Sequence, residues 1–428
     1  MGLRASLIVL VGINILNFYD RNVAGALTEP IRKEFNLSDT QIGFLGSAFI
    51  WLYAIVGVPL GRLADTWSRR KLLAGGVLVW SALTAFAGFA ANYGMLLVSR
   101  LGVAVGEAVA APVGTSWIGD MFPSTSRSRA LALFMLGVPI GGALSYFFSG
   151  PVAQAFGWRT AMVLAAAPAL LLIPPLLMLP EPVRGATEVR GAGTGSVWTV
   201  LAIPTMWWII ASGALLNFNM YAIGTFMPAF LSRVHKLTLA ESGVATGIAF
   251  LAGGVFGGAM AGIWGDRIMQ SRKDGRMLSA AVLALGATPL AYVGIQQPAG
   301  SIYAAVVFLT LAYGALNGYY GLVYSSIQDI VAPSLRGRAM GVYFMAMYMC
   351  GASFGPLLTG NLSDRMARRA AEAAGSPVIT EAFKAVGLQQ AMLIIPVLSL
   401  FLAVVLYAGS RTVVGDITRR MEAAEAEA

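Results

Sequence analysis

The sequence has few residues with the chemistry of metal binding or nucleophilic catalysis. A single cysteine, Cys350, excludes an internal disulfide, and with a single histidine, His235, it cannot build a His/Cys metal cluster. His235 also lies in a polar segment far from any candidate nucleophile, which excludes a Ser-His-Asp triad. We therefore predict that the protein is not an enzyme, that it has no catalytic residues, and that it binds no metal or organic cofactor.

Charged residues are also scarce. Asp, Glu, Lys and Arg make up 11% of the 428 residues, and hydrophobic residues make up 57%. A soluble globular protein carries about 25% charged residues. So few charged residues cannot cover a protein surface that faces water. The composition therefore indicates that most of the surface faces the lipid bilayer. The net charge of +9 does not indicate nucleic-acid binding, because the basic residues form short clusters between apolar runs.

Twelve apolar stretches are long enough to cross a bilayer as helices, which takes about 20 residues. They cover approximately 5–27, 40–63, 72–91, 95–119, 130–153, 160–180, 204–231, 241–263, 277–295, 300–327, 338–362 and 388–410. The first stretch lacks a small-residue cleavage site, so we expect a retained span and not a signal peptide.

The basic residues between the stretches predict the orientation of the chain. With both termini in the cytoplasm, the cytoplasmic connections hold roughly twice as many Lys and Arg residues as the outer ones. Four of the outer basic residues fall in one long loop after the eleventh stretch: Arg365, Arg368, Arg369 and Lys384. We predict a multi-pass protein of a bacterial inner membrane with both termini cytoplasmic.

The chain repeats its own plan after about 200 residues. "NLSDTQIG" at 36–43 is matched by "KLTLAESG" at 236–243, and "GRLAD" at 61–65 by "GIWGD" at 262–266. We predict two six-helix bundles, 1–180 and 204–410, joined by a linker at 181–203 and followed by a cytoplasmic tail at 411–428. Repeated six-helix bundles that rock around a central binding site are a known transporter plan.

The segment "GRLADTWSRRKL" at 61–72 resembles the signature loop of the major facilitator superfamily. Thr66 and Ser68 depart from the family pattern, in which a basic residue and a glycine are usual. The resemblance implies an all-α membrane fold with two pseudo-symmetric six-helix bundles, alternating access and a cytoplasmic gate. The predicted gate residues lie in this loop, in its copy in the second half, and in two segments where an aspartate precedes an Arg-x-Arg motif. They are Gly61, Asp65, Arg69, Arg70, Asp120, Arg127, Asp266, Arg267, Asp329 and Arg336.

Within that superfamily, three first-half segments resemble the Spinster family: "NFYDRNVAG" at 17–25, "RLGVAVGEA" at 100–108 and "VPIGGALSYFFSG" at 138–150. The resemblance implies a transporter of lysolipids or phosphorylated sphingoid bases that is coupled to protons. Symporters of small organic anions, such as sugar acids, share parts of the second segment, so a proton-coupled symporter of this kind is the alternative. A non-transporting receptor or scaffold on the same bundle is an alternative of another class.

Four ionisable residues fall within the cores of the predicted spans: Asp20, Arg21, Arg100 and Glu107. A charge at the bilayer centre costs about 2.5–3.5 kcal/mol, so these groups must face one another or water. Counting residues from the helix ends puts Asp20 and Arg100 at similar depth, which predicts that they pair. A carboxylate that alternates between an apolar environment and an arginine can bind and release a proton. Asp20 and Glu107 are therefore the predicted proton-coupling residues.

Arginine stays protonated and can hold phosphate or carboxylate with two parallel hydrogen bonds, so Arg21 and Arg100 are predicted to bind an anionic head group. Polar residues at helical spacing complete the predicted substrate site: Asn14, Asn17, Asn217, Tyr221, Asn317, Tyr320 and Tyr324. Charged groups in one half and Tyr and Asn in the other suit an amphipathic anion. The expected partners are this substrate and membrane lipids, with the proton as coupling ion, no nucleic acid and a monomeric chain.

Overall fold

A computed structural model describes residues 3–183, 196–269, 271–332 and 335–426. The first half of this described chain forms helices Leu3–Ala26, Thr28–Glu34, Asp39–Thr66, Arg69–Ala87, Tyr93–Glu107, Ala110–Met121, Ser124–Met135, Gly137–Phe156, Trp158–Leu171 and Ile173–Leu177. The second half forms helices Val197–Leu201, Pro204–Val234, Leu239–Ile248, Gly254–Met269, Gly275–Ile295, Ile302–Asn317, Tyr319–Ile330, Arg336–Met347, Phe354–Ala373, Glu381–Met392 and Ile394–Ala426. Two π-helical turns, Ala249–Gly253 and Tyr348–Ala352, interrupt it.

Twelve helical stretches of the described chain are long and apolar enough to cross a membrane, which confirms the predicted number. They are Leu3–Ala26, Asp39–Ala64, Arg69–Ala87, Tyr93–Met121, Arg129–Phe156, Trp158–Leu177, Pro204–Val234, Leu239–Met269, Gly275–Ile295, Ile302–Ile330, Arg336–Ala373 and Glu381–Glu422, and we number them span 1 to span 12. Local signals fix several of their ends. Ser38 and Gln41 form a capping box at the start of span 2, and Asn92 caps span 4.

The chain forms two compact units. The first unit comprises residues 1–190 and 224–247, and the second unit comprises residues 191–223 and 248–428. The last part of span 7 and the start of span 8 thus group with the first unit. The predicted bundle boundaries at 180, 204 and 410 stay predictions.

The predicted long outer loop after span 11 is wrong. Arg365, Arg368 and Arg369 lie in the helix Phe354–Ala373, and Lys384 lies in the helix Glu381–Met392. The residues that follow the predicted span, which ended at 362, are rich in Ala and Arg. Both residue types favour helix, so the helix continues beyond the apolar stretch as far as Ala373. Only residues 374–380 connect the two helices.

The predicted tail at 411–428 continues the last helix as far as Ala426. Asp416 anchors it, because its buried carboxylate accepts hydrogen bonds from the backbone N–H of Thr205 at 3.0 Å and from the Thr205 hydroxyl at 2.5 Å. Thr205 lies in the first turn of span 7, where backbone N–H groups have no partner within the helix. The tail therefore packs as part of the second unit.

Replacing Asp416 with alanine is expected to lower the melting temperature of the purified protein. The change removes a buried cap from a helix start, a loss of about 1–2 kcal/mol. Glu422→Ala, an exposed change in the same helix, is the control. Differential scanning fluorimetry in detergent measures both variants, and equal melting temperatures would contradict the anchoring role.

Three connections between spans of the first unit meet at Glu34. Its carboxylate accepts hydrogen bonds from Trp158 Nε1 and Arg159 Nη1, each at 2.5 Å, and Arg159 also donates to the Ala90 carbonyl at 2.8 Å. Burial opposes the charged form of Glu34, but the hydrogen bonds from Trp158 and Arg159 and the charge of Arg159 together outweigh it. The pKa of Glu34 is therefore held below its ordinary value of 4.5.

This lowered pKa predicts a pH dependence of stability. An acid whose pKa is lowered by folding contributes stability that is present above its ordinary pKa and is lost as pH falls through the lowered value. We expect Glu34→Gln to lower the melting temperature at pH 7 and to have a smaller effect at pH near 4. The loss is small, because the side chains of Glu34 and Arg159 are 42% and 39% exposed. Glu372→Gln, an exposed change elsewhere, serves as the comparison.

Candidate substrate and proton site

The four charged residues predicted inside the spans lie together in the first unit. Arg21 Nε donates to Glu107 Oε2 at 3.1 Å, and both side chains are buried. Arg100 donates to the backbone carbonyl oxygens of Asp20 at 3.5 Å and Arg21 at 3.3 Å. The Arg100 guanidinium group thus makes no direct ion pair with the Asp20 carboxylate, although the two charges lie close enough to interact. The direct ion pair joins Arg21 to Glu107 instead. Residue counting fixed the Cα depths but ignored the reach of the Arg21 side chain.

The two carboxyl groups are neighbours. The Thr84 hydroxyl donates to Asp20 Oδ2 at 2.7 Å, and the Asp20 carboxyl group lies within hydrogen-bonding reach of Glu107. Within the described residues, Asp20 Oδ1 and Glu107 Oε1 receive no hydrogen bond from an N–H or O–H donor. A proton bound at this pair would supply the missing donor.

Aromatic rings enclose the two guanidinium groups. The Arg21 Cζ atom lies 4.3 Å from the centroid of the Tyr53 ring and 4.8 Å from that of Phe18. The Arg100 Cζ atom lies 4.8 Å from the centroid of Phe49. Arg21 is 9% and Arg100 is 4% exposed, so both charges are largely removed from water. Charge–charge interactions in such surroundings are much stronger than in solution.

The two predicted asparagines of span 1 have different surroundings. Asn14 Nδ2 donates to the Phe134 carbonyl of span 5 at 2.7 Å, so this side chain joins two helices. Asn17 is buried, and its Nδ2 atom has no acceptor among the residues that the structure describes. Of the two, Asn17 is the better candidate for a substrate contact.

The second unit brings three predicted substrate residues together. The Tyr320 hydroxyl donates to Asn217 Oδ1 at 3.0 Å, and the Tyr320 and Tyr324 ring centroids are 5.6 Å apart. Tyr343, which the sequence analysis missed, packs at right angles on Tyr324 at 5.6 Å. The helical spacing that pointed to the first residues could not show Tyr343, because it lies on another span.

The other two predicted residues of the second unit lie against further tyrosines. Tyr221 packs edge-on against Tyr348 at 6.3 Å, and Asn317 is a hydrogen-bond partner of Tyr313. Tyr348 begins the π-helical turn of span 11, and such turns are frequent at functional sites. The second unit therefore carries a group of aromatic rings whose polar groups are hydroxyls and amides.

Two ion pairs repeat at equivalent places in the two units. Arg69 Nη2 lies 2.6 Å from Asp120 Oδ2 in the first unit, and Arg276 Nη1 lies 2.5 Å from Asp329 Oδ2 in the second. Each pair joins the start of span 3 or span 9 to the end of span 4 or span 10. Arg276 was missed, because the sequence repeat aligned the aspartates but not these arginines.

The remaining predicted gate residues have mixed surroundings. Arg70 donates to the Leu177 carbonyl at 3.1 Å and the Leu179 carbonyl at 3.2 Å, at the end of span 6. Arg127 and Arg336 also bond backbone carbonyl oxygens within their own units, those of Phe122 and Gln328. Gly61 has open space where a Cβ atom would lie, with no atom closer than 3.9 Å, and Arg267 is exposed. The side chains of Asp65 and Asp266 lie outside the described residues.

The sequence analysis missed a buried group of charges, which we call the outer ion cluster: Glu29, Arg32, Asp39 and Arg233, all within the first unit. Arg233 binds both oxygens of Asp39 at 2.8 Å, and its Nη2 atom lies 2.5 Å from Glu29 Oε1. Arg32 pairs with Glu29 at 3.2 Å. Arg32 and Arg233 had been counted only as outer charges. The three-residue spacing of Glu29 and Arg32 was the available signal.

Twelve apolar helices, buried charges within the spans and an ion pair repeated in both units define a membrane transporter built from two related halves. A sequence profile of the Major Facilitator Superfamily matches residues 10–356, and the chain belongs to this superfamily. It is a transporter of the major facilitator fold and not an enzyme.

Within the superfamily, the chain is similar to Spinster proteins. It is 28% identical to protein spinster homolog 1 of Rattus norvegicus over 393 residues, covering 84% of this chain and 73% of the rat protein. It superposes with a TM-score of 0.87 on the crystal structure of a bacterial homolog of the human lysosomal transporter Spinster, at 26% identity and with 97% and 98% of the two chains covered. An MFS-type efflux pump of Mycolicibacterium smegmatis is 31% identical over 369 residues, which is 84% of each chain.

Proposed function

We propose that this protein is a proton-coupled secondary active transporter of an amphipathic anionic lipid, such as a lysophospholipid or a sphingoid-base phosphate, that works by alternating access. The observation that carries the proposal is the buried group of Asp20, Arg21, Arg100 and Glu107 in the first unit. Ionisable residues inside a membrane span cost free energy, and where they occur they usually lie on ion or substrate pathways. The resemblance to the Spinster family supports the lipid cargo.

The charge balance of this group suggests how the proton and the substrate are linked. With both carboxyl groups ionised, the two acids and the two arginines are electrically neutral. A proton bound by the neighbouring carboxyl groups of Asp20 and Glu107 removes one negative charge and leaves one of the two buried arginines without a counter-charge. An anionic head group then restores neutrality with a charge-assisted hydrogen bond. Proton and anion therefore strengthen each other's binding.

The aromatic rings of the second unit support an amphipathic cargo. Tyr221, Tyr320 and Tyr324 lie against further aromatic rings, and such ring faces suit an apolar tail. We further propose that the chain is a monomer in the cell inner membrane with both termini in the cytoplasm.

Three other functions are alternatives. A symporter of small organic anions would bind its substrate at the same arginines and would need no aromatic rings for an apolar tail. The mycobacterial relative named an efflux pump favours outward transport as a second candidate. A receptor or scaffold that no longer transports has no need for the repeated pairs of Arg69 with Asp120 and Arg276 with Asp329.

Uptake of labelled lysophosphatidylcholine and lysophosphatidylglycerol into proteoliposomes tests the proposal. We expect an inward proton gradient to drive accumulation of the anionic lysolipid, and a protonophore to abolish it. Labelled gluconate forms the second arm of the experiment. Accumulation of gluconate without lysolipid would show that the lipid assignment is wrong, and no gradient-driven flux of any probe would favour the non-transporting alternative.

A further inference from the structure

A narrow apolar groove runs along the surface of the first unit between spans 2, 3 and 4. It has a volume of about 220 Å³, and Trp67, Lys71, Gly75, Gly76, Val79 and Val105 are among the residues that line it. From this groove we infer a lipid site. We propose that it binds one acyl chain of an anionic membrane phospholipid, with the lipid phosphate at Lys71.

Glycines give the groove its shape. A Cβ atom on Gly76 would lie 2.8 Å from the Gly106 carbonyl oxygen, so spans 3 and 4 are in close contact there. Gly75, one position along, faces open space with no atom within 4 Å of a Cβ position. The contact between Gly76 and Gly106 forms the bottom of the groove, and the absence of a side chain at Gly75 leaves space over it. A large side chain at position 75 would therefore fill this room.

The length of the groove fits an acyl chain in one leaflet. Eight residues separate Lys71 from Val79 along span 3, which is a rise of about 12 Å. One leaflet of the hydrocarbon core is about 15 Å thick. Val79 and Val105, 42% and 36% exposed, lie at the end away from Lys71. An occupant must therefore be apolar over most of a leaflet and polar at one end.

The polar end of the groove is cationic. Three basic residues follow one another at the start of span 3, and two of them bind partners within the protein. Arg69 pairs with Asp120, and Arg70 donates to two carbonyl oxygens at the end of span 6. Lys71 is exposed and makes no ion pair with any residue that the structure describes. Its ammonium group is therefore available to a phosphate from the membrane.

Trp67 marks the depth of this end. Its side chain is 54% exposed beside Lys71, and exposed tryptophans with neighbouring lysines are typical of the membrane–water interface. A diacyl phospholipid has its phosphate at this depth and its chains below it. The groove shares no lining residue with the group of Asp20, Arg21, Arg100 and Glu107, so the inference does not depend on the proposed transport function.

Native mass spectrometry of the detergent-purified chain with added dioleoyl phosphatidylglycerol or dioleoyl phosphatidylcholine tests the site. We expect Lys71→Gln to weaken phosphatidylglycerol binding about five-fold, because one lysine near a membrane surface contributes this much. Phosphatidylcholine binding should change less, because the choline cation of this lipid offsets the charge of its phosphate. Gly75→Leu is expected to reduce binding of both lipids, because the leucine side chain fills the groove.

Matched changes in the second unit serve as controls. Lys273→Gln removes an exposed lysine near the start of span 9, and Gly286→Leu adds a side chain where a Cβ atom also meets open space. We expect both controls to bind the two lipids like the parent. The inference is overturned if Lys71→Gln and Gly75→Leu also bind like the parent, or if the controls lose binding equally. An effect of Lys71→Gln on both lipids alike would contradict the preference of the site for an anionic lipid.

Discussion

Asp20→Asn is expected to abolish proton-driven accumulation of the substrate while leaving exchange of substrate across the membrane intact. An asparagine has the shape of the protonated acid and can still accept the hydrogen bond from Thr84, which is 2.7 Å long in the parent. It cannot release a proton, so the transport cycle loses its coupling step. In proteoliposomes, gradient-driven uptake falls to the level of vesicles without protein, and counterflow of labelled substrate continues.

The control for this variant is Glu372→Gln, which removes an acid from an exposed helical position. It should accumulate substrate like the parent. Gradient-driven accumulation that persists in Asp20→Asn would remove Asp20 from the coupling path and leave Glu107 as the candidate. Loss of both accumulation and counterflow would instead show that Asp20 is needed for substrate binding or for folding, and a melting curve separates these two outcomes.

Arg233→Gln is expected to cause a large loss of stability in the first unit. It leaves the carboxylates of Glu29 and Asp39 buried without the cation that they share at 2.5 and 2.8 Å. Breaking a buried pair by removing one partner costs about 3–5 kcal/mol. Thermal unfolding in detergent measures the loss as a lower melting temperature.

Arg159→Gln is the matched control, because it breaks an ion pair of the same unit whose side chains are about 40% exposed. Such exposed pairs contribute about 0–1 kcal/mol, so its melting temperature should fall much less. Adding Asp39→Asn to Arg233→Gln removes one stranded charge and should restore part of the loss. Equal melting temperatures for Arg233→Gln and Arg159→Gln would contradict the role assigned to the outer ion cluster.

Composition and repetition were sufficient to predict the fold. The low charge content indicated a membrane protein, and the matched segments around Asp65 and Asp266 indicated a duplicated bundle. Both signals depend on many residues, so small errors in span boundaries did not matter. Helix ends were harder, because the helix after Phe354 and the last helix continue past their apolar runs into segments rich in Ala and Arg.

The side-chain partners within the site could not be predicted in the same way. The sequence placed Asp20 and Arg100 at similar depth, but the partner of each charge depends on rotamers and on the reach of the Arg21 side chain. The outer ion cluster was missed for a different reason. Charges near span ends usually report topology, and only packing shows that Glu29 and Arg233 are buried.

Proton exchange on substrate binding tests the central claim most directly. The purified protein in weakly buffered detergent, with a pH-sensitive dye, is mixed with lysophosphatidylglycerol. We expect the parent to take up protons as the lipid binds, because binding of an anion at Arg21 favours the protonated form of the facing carboxyl groups. The double variant Asp20→Asn, Glu107→Gln should bind the lipid without proton uptake. Lipid binding to the parent with no change in proton content would contradict proton coupling at this site.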